Sequence, residues 1–60
     1  MKRKFKVGQK LTWRVKEFDG VSETKVVVTE VFSDHVIAKS EDDMTLWIDE
    51  DNECDFYNRE

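Results

Sequence analysis

The chain has no proline, one cysteine, one histidine and two glycines among its 60 residues. Each scarcity excludes something. Cys54 has no partner for an internal disulfide, and a lone thiol fits a reducing compartment. One Cys and one His cannot supply the usual tetrahedral ligand set, so a structural zinc site is excluded. Gly8 and Gly20 alone cannot build a phosphate-cradling loop. No apolar run approaches the ~20 residues that a membrane span needs. Lys2-Arg3-Lys4-Phe5-Lys6 opens like a signal-peptide n-region, but Gly8, Gln9 and Lys10 break any apolar core behind it. The expectation is a cytoplasmic protein without membrane contact.

What is present is charge, β-branched residues and aromatics. Charged residues make up 40% of the chain, which on its own favours disorder. Two Trp, four Phe and one Tyr, set among many Val, argue for a packed core instead. The length allows one domain, 1–60. A domain of this size buries only about 60% of its unfolded surface, so it needs close packing or a second copy.

Strand signals run throughout. Phe5, Val7, Leu11, Trp13 and Val15 share one parity, with Lys6, Lys10, Thr12, Arg14 and Lys16 on the other. Gly8-Gln9 predicts a turn or bulge, and Asp19-Gly20 a hairpin turn. Thr24 to Phe32 is rich in Val and Thr, and the Val26-Val27-Val28 triplet predicts burial on both faces or a bulge. Further turns fall at Ser33-Asp34 and at residues 39–43. Thr45 to Ile48 reads as a strand, Asp49 to Asn52 as one helical turn, and Cys54 to Tyr57 as a last strand. The expected fold is all-β: five short strands in a small barrel, with one helical turn before the last strand. The expected core is Val7, Leu11, Val15, Val28, Val31, Val36, Ala38, Leu46, Ile48 and Phe56.

Val7-Gly8-Gln9-Lys10-Leu11 resembles the V-G-D-x-V opening of SH3-like small barrels, including their KOW and Tudor-type relatives. Val28 to Ala38 resembles their central hairpin, and Leu46 to Phe56 their closing segment. The resemblance implies a five-stranded barrel, and fold alone implies no function. The acidic residues Asp49, Glu50, Asp51 and Glu53 stand where nucleic-acid-binding members more often carry neutral or basic ones.

Catalytic candidates are few. His35, beside Asp34, lacks a nucleophile or second base in the sequence and reads as an exposed turn histidine. Cys54 lies between the carboxylates Glu53 and Asp55, which disfavour a thiolate, and reads as a small core or strand residue. Asp49, Asp51, Glu53 and Asp55 alternate like calcium-loop ligands, but Cys54 occupies the position where that loop needs Gly. A chain this short rarely encloses a substrate pocket. The expectation is a non-enzymatic protein without metal or cofactor.

Charge is divided along the chain. Residues 1–18 carry seven cations against Glu17 alone, whereas residues 19–60 carry three cations against thirteen acids. Trp47 has the opposite parity to Leu46 and Ile48 and is expected to face outward. An exposed Trp among acids is a candidate interface anchor, the alternative being that it covers an open barrel end. The principal expectation is a protein-binding module for a basic protein, through Asp42, Asp43, Trp47, Asp49, Glu50, Asp51, Glu53 and Asp55. In its extreme form this surface mimics a phosphate backbone and inhibits a nucleic-acid-binding protein, by analogy with small phage proteins. The alternative is a nucleic-acid-binding barrel using Lys2, Arg3, Lys4, Lys6, Lys10, Arg14 and Lys16, with Trp13 as stacking platform. A third reading is a homodimer joining the basic strand of one copy to the acidic end of another.

Overall fold

The computed structural model describes residues 4–59; Lys2 and Arg3 of the basic segment lie outside the described residues. The fold is all-β. The strands are β1 (Lys10–Glu17), β2 (Gly20–Val31), β3 (Val36–Ser40), β4 (Thr45–Ile48) and β5 (Phe56–Asn58), with a 3-10 turn at Glu53–Asp55 before β5. They form one antiparallel sheet in the order β4-β3-β2-β1-β5. Each of the first four strands pairs with its neighbour in sequence, and β5 returns to β1, as expected of a small barrel-like β fold. Among the described residues, no helix is long and apolar enough to cross a membrane.

The core follows from period-two alternation. Leu11 from β1, Val26 and Val28 from β2, Val36 and Ala38 from β3, Ile48 from β4 and Phe56 from β5 are buried together. Phe5, from the segment before β1, completes the cluster. Each such burial contributes roughly 1.5–3 kcal/mol. Trp13 and Leu46 pack against this cluster from its margin, and Trp13 stacks on Phe56 at 6.0 Å and 8°.

Several expectations change. Phe5 and Val26 are core residues, whereas Val7 and Val31 are exposed and Val15 and Leu46 half-buried. Val7 sits in the turn before β1, and Val31 ends β2 beyond a bulge. That bulge lies between Val28 and Glu30, so the Val triplet alternates normally: Val27 faces out between two buried neighbours. The first hairpin turns at Phe18-Asp19, with Glu17 opposite Gly20, rather than at Asp19-Gly20. The helical turn forms at Glu53–Asp55 instead of Asp49 to Asn52, which shifts β5 to Phe56–Asn58 and leaves Cys54 exposed. The cause is side-chain capping in residues 49–52, described below, which holds them as a turn of their own.

Two devices fix the start of β1. Before it, Gln9 N–H donates to Lys6 O at 3.0 Å, closing a turn in which Gly8 has φ +89°. Gly8 N–H then donates to Val28 O at 2.7 Å, and Val28 N–H to Gln9 O at 3.0 Å, which ties the turn to β2. This docking carries the segment that holds Phe5 onto the core. After β5, Arg59 donates from Nε to Leu11 O at 2.9 Å and from Nη2 to Val26 O at 3.1 Å. Its guanidinium thus joins β1 and β2 beyond the last backbone pair of β5.

Two stability predictions follow from these devices. A Cβ at Gly8 would meet nothing within 4 Å, so Gly8→Ala carries only the cost of the left-handed backbone. That cost is about 1–2 kcal/mol, read as a lower urea midpoint with unchanged m-value. Arg59→Ala removes two charge-assisted bonds to part-buried carbonyls and lowers unfolding free energy by roughly 1–3 kcal/mol in the same assay.

Candidate functional site

Because Leu46 and Ile48 point toward the core side, Trp47 between them points out, and it is 54% exposed. Its partner across the sheet is Ile37, and Val36 lies opposite Ile48. This register brings β4 alongside the start of β3, where His35 precedes the strand. The His35 ring stacks on Trp47 at 3.7 Å and 5°. Its other face meets Phe32 at 4.5 Å and 18°. Phe32 N–H donates to His35 O at 2.9 Å, so the turn between β2 and β3 sets these two side chains next to each other. The result is a three-ring stack with Phe32 and Trp47 exposed at its ends. Each ring pair is worth about 0.5–1.5 kcal/mol beyond its buried area.

Polar contacts hold the stack at Trp47 and at the central ring. Trp47 Nε1 donates to Asp49 Oδ2 at 3.1 Å. Asp49 Oδ1 accepts from Asp51 N at 2.9 Å, and Asp49 N–H donates to Asn52 Oδ1 at 2.8 Å. Asn52 Nδ2 returns to Trp47 O at 2.8 Å, closing a ring of contacts around the indole. At the central ring, His35 Nδ1 lies 2.7 Å from Asp34 Oδ1. The hydrogen bond to His35 holds the Asp34 carboxyl below its usual range, although Asp34 itself is largely exposed. The His35 side chain is only 16% exposed, so it is a sandwiched ring rather than the exposed turn histidine expected from sequence.

The expected partner-binding residues fall into three groups. Asp49, Glu50 and Asp51 follow β4 directly, and Asp49 accepts from the Trp47 indole. Asp42 and Asp43 lie in the turn before β4, about 13 Å away along the strand. There Asp43, at φ 65°, completes a tight turn closed by its N–H to Ser40 O at 3.0 Å, and it pairs with Lys39 at 3.6 Å. Glu53 and Asp55 belong to the 3-10 turn, and Asp55 adjoins Arg14, Lys16 and Tyr57 around a cavity of about 90 Å³. Trp13, the stacking platform of the nucleic-acid reading, faces inward onto Phe56, in keeping with the parity it shares with Leu11.

Phe32 and His35 were not recognisable as site residues from sequence. The signal was there in part: an aromatic, a turn and a histidine lie within four positions. Only the pairing of β3 with β4 brings them to Trp47.

The Asp34–His35 contact has a pH consequence. A depressed carboxyl contributes stability above its unfolded value, and loses it as pH falls through the lower folded value. A carbon-detected NMR titration of Asp34 should therefore give a midpoint below that of an unfolded-chain Asp, and His35→Ala should raise it. Compared with models of protein families, with characterised proteins and with solved structures, the chain gives no match.

Proposed function

We propose that the protein is a non-enzymatic binding module whose Trp47 end engages a basic protein. The observation that carries this is an exposed indole locked in place by its own acidic loop. Trp is strongly enriched at interface hot spots, and a rigid anchor loses little entropy on binding. The open face of Trp47 suits a Lys or Arg side chain through cation–π contact. Asp34, Asp49, Glu50 and Asp51 supply the opposite charge around the stack and steer a cation toward it. Asp42 and Asp43 extend the negative field at the far end of β4. The antiparallel order, in which β5 returns to β1, supports the SH3-like barrel reading. The acidic loops support, as a narrower form of the proposal, a phosphate-mimicking inhibitor of a nucleic-acid-binding protein in the cytoplasm. The homodimer reading makes a second copy the basic partner.

A lysine- and arginine-rich peptide should shift the Trp47 indole N–H resonance at low salt and leave that of half-buried Trp13 in place. Trp47→Ala should weaken binding by about 2 kcal/mol, and Asn52→Ala, which frees the indole without removing it, by less. Unchanged affinity in Trp47→Ala would sink the proposal. Light scattering tests the homodimer directly.

A further inference from the structure

We infer that the outer face of β1, β2 and β5 is a second, independent binding surface, for single-stranded nucleic acid. Leu11, Trp13 and Val15 face the core side, so Lys10, Thr12, Arg14 and Lys16 face out. The register sets Thr12 opposite both Lys25 and Tyr57, and Arg14 opposite Glu23. Lys10, Arg14, Lys16 and Lys25 are all exposed and form a track about 20 Å long. At its Lys10 end, Lys4, Lys6, Gly8, Gln9 and Asn58 line an open groove of about 390 Å³ that adds two more cations. The adjoining acids are few: Glu23, engaged by Arg14 at 3.7 Å, and Asp55 at the Lys16 end.

The face also carries flat π surfaces. Tyr57 is 47% exposed, and the Arg14 guanidinium lies 5.4 Å from its ring centre. A row of cations alone would suit any polyanion. Cations interleaved with an exposed ring and a guanidinium plane suit phosphates joined to unstacked bases, which only a single strand offers. An acidic peptide has no such faces. Tyr57, not the inward-turned Trp13, is the stacking residue of this surface.

The net charge of −4 does not oppose this, because only part of the acidic set, Glu23 and the 3-10 turn with Asp55, lies beside this face. The turn before β4, with Asp42 and Asp43, is separated from β1 by β3 and β2. Three strand spacings amount to about 14 Å, beyond the ~10 Å screening length at 0.1 M salt.

The test is fluorescence anisotropy of a labelled thymidine dodecamer with the full chain, starting at about 50 mM salt. Saturable binding that falls with salt is expected. Lys10→Gln/Lys25→Gln should weaken it at least about tenfold and reduce the log–log salt slope by about 1.4. Tyr57→Ala should cost about tenfold with the slope retained. Circular dichroism of each variant should match the parent, because all three positions are exposed. Trp47→Ala should bind the oligonucleotide normally, which separates this surface from the protein-binding end. Absence of binding at low salt overturns the inference. So does equal affinity for a duplex of the same length, tighter binding of an oligoglutamate peptide, or a double variant that binds like the parent.

Discussion

Everything displayed by this molecule depends on one constraint: successive residues of a strand point to opposite faces, and only one face can be dry. With five strands and eight buried apolar side chains among the described residues, these hold no second core to hide an error of parity. Each inward residue therefore commits its neighbours to solvent. Leu11 commits Lys10 and Thr12, Ile48 commits Trp47, and Phe56 commits Tyr57. The exposed aromatics and the basic row are thus products of the same alternation that builds the core. The bulge between Val28 and Glu30 is the one break in this rule within the central hairpin. It ends the alternation of β2 where the chain must turn toward Phe32 and His35.

The two ends of the sheet are organised by different physics. At the β4 edge, aromatic stacking and a closed ring of hydrogen bonds fix Trp47, His35 and Phe32 against acidic turns. At the β1–β5 side, long cationic side chains and Tyr57 lie on an open surface with little to order them beyond Arg14. The first arrangement is preorganised and suits a specific protein contact. The second is adaptable and suits an electrostatic contact with a flexible chain.

Much of the fold was legible because its signals are local. Alternating residues from Leu11 to Val15 gave β1, the β-branched run gave β2, and the parity of Leu46 and Ile48 against Trp47 gave the outward indole. Turn boundaries were less legible, because side-chain capping decided them. Asp49 and Asn52 cap their own turn, which moves the single helical turn to Glu53–Asp55. Phe5 was missed as core because its burial depends on the Gly8 turn docking against Val28, a contact across twenty residues of chain.

The sequence by itself determined that the protein is all-β, that Trp47 is displayed and that its charge is divided. These follow from period two, β-branched composition and counts, which need no partner strand to be read. Only the tertiary structure decided which aromatics meet and where the charges lie in space. Strand register placed His35 between Phe32 and Trp47 and set Tyr57 among the cations. Register is a property of paired strands, so no single stretch of the chain carries it. The division of charge along the chain became only in part a division in space: sheet order keeps the turn before β4 three strands from β1, whereas the chain's return into β5 brings Asp55 beside Arg14 and Lys16.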